Sequence, residues 1–321
     1  VVIGATPQEL DGECRPLPSG AVGRPQLTLV AVCTGWGTIP LLIRHIDLPA
    51  SAIVFSRLSI AAVGLGAALL VDGRRRSQQG QARHRQAPKL LSYRPGLCLA
   101  AAAILAAHWL ALFAAYQRAP TGTVILIVYL APVGVAALAP RTLGERHSPR
   151  TLVALAVGVV GFALVAGPAV RGSSAVGLAL ALFAAASFAA LVLVSKPLSE
   201  AYGGLRVAFI EMAGATVCLI PVAATAGWGS PQPAWAWLVV LGLVHTALGT
   251  ALYLEALGRV PATHVAILGY LEPTAVVVLG WLFLHETPVP ATLAGGVLIV
   301  AAGWLTVTAR PVAAVEVPTG V

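Results

Sequence analysis

The sequence is poor in charge. Only 10% of its residues are Asp, Glu, Lys or Arg, against about a quarter in soluble domains. That is too few to coat a water-facing surface around 321 residues, so a large soluble domain is excluded. Cysteine is scarce as well. Cys33, Cys98 and Cys218 fall inside apolar runs and Cys14 near the start, without a CxxC or any paired spacing. They read as small packing residues rather than as disulfide partners or metal ligands. No GxxxxGK[ST] loop is present, which argues against ATP drive within this chain. The HExxH and GxSxG signatures of intramembrane or membrane-bound hydrolases are missing too.

What is abundant is apolar sequence, at 58% of residues with a mean hydropathy of +0.87. A helix needs roughly 20 mostly apolar residues to cross a hydrocarbon core about 30 Å thick. Marking the runs off against Pro, Gly and charge predicts ten spans, at 27–46, 50–71, 96–117, 121–140, 151–167, 174–196, 205–227, 234–257, 262–283 and 290–309. Residues 1–25 are polar, with Glu9, Asp11 and Glu13, and lack the basic start of a signal peptide; they read as a disordered cytoplasmic tail.

A net charge of +8 and a pI near 9.9 would suggest nucleic acid in a soluble domain. The distribution points elsewhere. With the N-terminus inside, sixteen Lys and Arg lie at the cytoplasmic side and only Arg44, Arg118 and Arg171 lie outside, with Arg57 left within a span. This asymmetry places both termini in the cytoplasm. The stretch DGRRRSQQGQARHRQAPK is then a solvated loop against anionic lipid, not a nucleic-acid site.

The chain also repeats itself. LFAAYQRAPTGTVILIVYLAPV (112–133) aligns without a gap with YLEALGRVPATHVAILGYLEPT (253–274), an offset of 141 that pairs Arg118 with Arg259, Tyr129 with Tyr270 and Pro132 with Pro273. Further on it pairs Glu145 with Glu286. Five spans per copy, an odd number, turn the second copy upside down in the membrane. Inverted repeats of this kind build many secondary transporters, with the solute site near the midplane between the halves. The expected fold is an all-α polytopic membrane protein of ten transmembrane helices in two inverted five-helix repeats, residues 26–170 and 171–310, followed by a short cytoplasmic tail at 311–321.

The segments YLAPVGVAALAPRTLGERHSPRTLVALAVGVVGFALV and YLEPTAVVVLGWLFLHETPVPATLAGGVLIVAAGWLTV resemble the paired EamA-type repeats of the drug/metabolite transporter superfamily. Trp36 in the first span, and Pro49 followed by Arg57 in the second, agree with the resemblance. His285 before Glu286, and Phe188 where Trp is usual, depart from it. The resemblance implies ten helices, cytoplasmic termini, a central cavity lined largely by spans 3, 4, 8 and 9, and export of small metabolites such as amino acids.

A charge at the bilayer centre costs about 2.5–3.5 kcal/mol, so each ionisable residue inside a span needs a function or a partner. Glu272 lies about ten residues into span 9, roughly 15 Å deep, just before Pro273. His108 and His245 reach the same level, with Trp109, Tyr129, Tyr270 and, from the first span, Trp36 as further candidates for contact with solute. The bland reading of Glu272 is a paired structural carboxyl, and that of the two histidines an imidazole satisfying a carbonyl. Pro273 removes the N–H that would meet the carbonyl of Gly269, and Pro132 repeats the device before a neutral Ala131; both helices are expected to bend around one cavity. Arg57 and Glu211, mirror-related in depth, read as gate or ion-pair residues, each with another partner. Glu145 and Glu286 read as caps or tethers of the next helix, and His264 and Glu255 as solvated residues near the cytoplasmic end. Trp228, Trp235 and Trp237 read as an interface belt, and Ala154/Gly158 and Ala291/Gly295 as small pairs for close helix packing.

The function these features point to is a secondary transporter in the cell membrane, an exporter with proton coupling through Glu272. The alternatives are efflux of cationic drugs, a transport-inactive sensor or scaffold, and an intramembrane metalloenzyme using His108, His245 and Glu272. The expected partners are a small solute, protons, the lipid bilayer and a second copy of the chain. No cofactor, metal or nucleic acid is expected.

Overall fold

The computed structural model describes residues 23–78, 94–166, 174–228, 234–285 and 287–308, and every regular element among them is helical. An apolar chain in lipid must satisfy its backbone within each segment, which is what helices do. Ten helical bodies follow in order: α1 (Arg24–Trp36 with Ile39–Ile43), α2 (Ala50–Gln78), α3 (Pro95–Tyr116), α4 (Thr121–Val128 with Ala131–Thr142) and α5 (Pro149–Ala166). The second five are α6 (Ala175–Tyr202), α7 (Gly204–Ala224), α8 (Ala234–Val240, a π-helical stretch Leu241–Leu248, and Gly249–Leu257), α9 (Ala262–Leu268 with Leu271–Leu284) and α10 (Pro290–Val307). Nine are long and apolar enough to cross a membrane, against the ten expected; the exception is α5, whose apolar stretch Pro149–Val165 is shorter.

Local sequence sets many of the boundaries. Proline stands in the first turn of α1, α3 and α10, where its missing N–H costs nothing. Ser174 caps α6, its hydroxyl accepting from the Gly177 N–H at 3.0 Å. Two predicted boundaries move. Helix α1 begins at Arg24, inside the segment expected to be a tail, and α2 runs through Asp72 to Gln78, so that Arg74 and Arg75 are exposed on its last turns rather than in a loop. The remainder of that loop, residues 1–22, Arg171, Glu286 and the C-terminal tail lie outside the described residues.

The main core joins α2, α3, α6, α7, α8 and α9 through Leu58, Leu105, Leu198, Val207, Leu257 and Leu268 among others. Helices α5 and α10 form a second packed pair, and their closest approach is not the pattern expected. Gly161 and Gly295 face each other so tightly that a Cβ on either would strike the other's carbonyl oxygen. Gly158 instead lies against Tyr270, and Ala291 is exposed, so the Ala291/Gly295 pair is not a packing unit. The outer surface is apolar, with Val63, Leu99, Val217, Phe283, Val297 and Trp304 exposed, as lipid contact requires.

Candidate functional site

A cavity of about 510 Å³ opens in the centre of the helices. Its wall takes residues from α1, α2, α3, α4, α6, α7, α8 and α9, leaving out only α5 and α10. The four helices expected to line it are joined by α1, α2, α6 and α7.

Both halves break at the same place. Helix α4 stops at Val128 and resumes at Ala131; α9 stops at Leu268 and resumes at Leu271. At the second break the Gly269 carbonyl is not left open as the sequence suggests. It accepts the Glu272 N–H at 3.1 Å, a tighter i to i+3 bond that stands in for the N–H Pro273 lacks. At the first, Leu130 O accepts from Val133 N and Gly134 N, while the carbonyl of Tyr129 accepts the Tyr270 hydroxyl at 2.9 Å. Pro132 and Gly269 line the cavity; Pro273 is buried behind it.

Glu272 faces the cavity from the second break. Its carboxyl lies within electrostatic reach of the Tyr129 hydroxyl and of Arg57. Arg57, from α2, donates through Nε to the Thr246 hydroxyl at 3.1 Å, and its guanidinium carbon lies 4.9 Å from the centre of the Trp109 ring. Glu211 is on the wall from α7, 2% exposed, and accepts from Ser195 Oγ at 2.5 Å. His108, also on the wall, donates from Nδ1 to the Ala184 carbonyl at 2.9 Å and packs on Phe188. The bland reading of this histidine, a carbonyl satisfied by an imidazole, thus holds alongside its place on the wall. Trp36 lines the cavity beside Tyr253, ring centres 5.4 Å apart.

Two expected members are elsewhere. Tyr270 is fully buried in a three-ring cluster with Tyr129 and Phe162, because its hydroxyl is drawn to the Tyr129 carbonyl. His245 bonds through Nε2 to the Thr38 hydroxyl at 2.8 Å and does not line the cavity. The π-helical stretch explains the latter arrangement. The Gly249 N–H is directed to Val244 and Thr246 rather than to His245, and the freed His245 carbonyl accepts the Trp36 indole N–H at 2.8 Å. Gly249 is needed for this approach, since a Cβ there would come within 2.7 Å of the indole nitrogen.

Towards the ends of the bundle, carboxylates serve helix termini. Glu145 accepts from the Ala262 N–H at 2.6 Å and from the Thr263 N–H and hydroxyl, capping α9 of the other half rather than its neighbour α5. Glu255 accepts from the Gly204 N–H at 2.7 Å and pairs with Arg259. His264 is not solvated as expected: it is 6% exposed and bonded to the Thr151 hydroxyl.

A match to the EamA-like transporter family spans residues 24–167 and again 175–308, so each copy takes in five of the ten helical bodies and their walls meet at the cavity. The chain belongs to this family. It is 31% identical over 251 residues to a probable terminal-alkyne amino-acid exporter of Streptantibioticus cattleyicolor, covering 77% of this chain and 80% of that one. It is 30% identical to the pseudopaline exporter CntI of Pseudomonas aeruginosa, covering 79% and 85%. With the threonine/homoserine exporter RhtA of Escherichia coli K12 it shares 32% identity, over 60% and 65%. A solved crystal structure superposes with a TM-score of 0.76 at 17% identity, covering 89% of this chain and 98% of that one, and shares the fold.

As an EamA-like membrane transporter, the chain has site residues that sequence reading missed. Ser195, Thr246 and Tyr253 each hold or flank a residue it singled out. A hydroxyl in an apolar run is the signal they carry, and it is weak because Ser and Thr also bond their own helix carbonyls.

Proposed function

We propose that the protein is a secondary exporter of small amino-bearing metabolites in the cell membrane. Ten crossings form two inverted five-helix repeats with both termini cytoplasmic, and these repeats rock about the cavity so that it opens to each side in turn. The observation that carries this reading is Glu272, a carboxylate at the break of α9 on the wall of a cavity to which both repeats contribute, with Tyr129 of the first repeat on the same wall. In the cycle Glu272 holds either a proton or the solute's ammonium group. Competition for one carboxylate links the two fluxes, and by linkage each ligand lowers the affinity of the other equally. Wall residues Trp36, Trp109 and Tyr129 supply aromatic surface for the solute. The names of the three relatives given above, exporters of amino acids or of pseudopaline, support the direction and the class.

The test is solute flux in proteoliposomes with and without an imposed pH gradient. Glu272→Gln keeps the volume, mimics the protonated state and should insert normally while losing the response to the gradient; Ala131→Glu, at the repeat-mate position, should not restore it. A Gln variant that responds like the wild type would move the proton to His108 or Glu211. Efflux of cationic drugs is the competing reading, favoured by two carboxylates against a single guanidinium on the wall among the described residues.

A further inference from the structure

We propose that Arg57 and the indole N–H of Trp109 form a carboxylate-binding subsite beside Glu272, so that the solute is recognised as a zwitterion, its carboxylate at Arg57 and Trp109 and its ammonium group at Glu272. This rests on the reading of the cavity as the solute site and narrows the solute class within it.

Arg57 is placed for this by two contacts that leave its working end free. Nε is taken by Thr246 and one face of the guanidinium lies over Trp109. No further hydrogen bond or ion pair of Arg57 occurs among the described residues, so both Nη atoms remain available on the cavity wall. A planar fork held in this way suits a carboxylate, which it meets with two parallel bonds. The Trp109 Nε1 atom is buried and has no hydrogen-bond partner. Buried donors are nearly always satisfied, and this orphan belongs to a ring on the cavity wall, so an acceptor entering the cavity is the partner proposed for it.

Glu272 and Arg57 act on each other electrostatically, yet no direct ion pair joins them. In a low-dielectric interior two opposite charges attract strongly. Here Arg57 is anchored from another direction, by Thr246 and Trp109. A ligand carrying both charged groups on one carbon satisfies the two at once. An amine without a carboxylate leaves the guanidinium and the indole N–H unmet.

The anchor of Arg57 is itself unusual backbone. Thr246 sits in the π-helical stretch of α8, where its hydroxyl donates to the Leu241 carbonyl five residues back at 2.9 Å and keeps an oxygen lone pair for Arg57. Short π segments inside longer helices are frequent at functional sites.

The experiment uses the purified full chain and two matched pairs of probes: L-leucine with 3-methylbutylamine, and L-threonine with 1-amino-2-propanol, each amine being its amino acid without the carboxylate. Apparent affinities are read from ligand-induced thermal shifts. The wild type should prefer the amino acid of at least one pair by roughly tenfold or more. Arg57→Lys, which keeps the charge but not the fork, should shrink that preference to within about twofold while leaving the amine's affinity in place. Trp109→Phe, which keeps an aromatic platform but removes the N–H, should reduce the preference part of the way. The proposal is overturned if the wild type binds amine and amino acid alike, or if either variant weakens both members of a pair equally, since Arg57 would then be a counter-charge for Glu272 alone. If neither member of either pair binds the wild type, the reading of the cavity as a site for amino-bearing solutes fails and this proposal falls with it.

Discussion

Tyr270 donates its hydroxyl to the backbone carbonyl of Tyr129 at 2.9 Å, and the two tyrosines are repeat-mates 141 positions apart. Their rings stack, with centres 6.2 Å apart, where α4 and α9 are both broken. Equivalent residues thus have unequal duties. Tyr270 ties its helix to the backbone of the other break, whereas Tyr129 lines the cavity with Glu272. The repeat sets up two matching breaks, and the single glutamate makes them chemically different.

Replacing Tyr270 by Phe tests this division. The change keeps the stack and leaves the Tyr129 carbonyl without the hydroxyl, so the folded state should lose about 1 kcal/mol. Solute affinity should stay within about twofold, because Tyr270 is fully buried and off the cavity wall. Thermal stability and ligand affinity measured on the same preparation check both halves. A tenfold loss of affinity at unchanged stability would mean that Tyr270 touches the solute.

The two prolines after the breaks should matter to transport more than to folding. Pro132→Ala and Pro273→Ala each return a backbone N–H and allow the helix to continue straight, giving Val128 O and Gly269 O their ordinary i to i+4 partner. Both variants should reach the membrane and transport more slowly. Wild-type flux in both would make the breaks incidental to the cycle.

Glu145 links the two halves at the start of α9, so its removal should loosen them. In Glu145→Ala the N–H of fully buried Ala262 loses its acceptor, a cost of about 1–3 kcal/mol. Glu145→Gln, which keeps an acceptor oxygen without the charge, should recover part of it. Melting temperatures of the two variants would be compared with wild type; equal values for all three would remove Glu145 as a tether.

The inverted arrangement predicts where reporters fall. Fusions after residues 90, 145 and 321 should report cytoplasm, and one after residue 230 the exterior. A cytoplasmic signal at 230 would contradict two repeats of opposite orientation.

The sequence alone determined the helical membrane character, since runs of apolar residues in lipid have no other way to satisfy their backbone. It also revealed the duplication and the two proline breaks, and singled out Glu272, Arg57 and Glu211, because an ionisable group in an apolar run stands out whatever it touches. Which way each helix faces was decided only in three dimensions. Helices that are apolar nearly all round carry no stripe to mark their inner face, so His245 could not be told apart from His108, nor Tyr270 from Tyr129, although one of each pair lines the cavity and the other does not. The cap on α9 from Glu145, 117 residues away, and the grip of Thr246 on Arg57, 189 residues away, are equally matters of packing. Such contacts join residues through space, and hydrophobic periodicity, which reports only on neighbours along one helix, has no access to them.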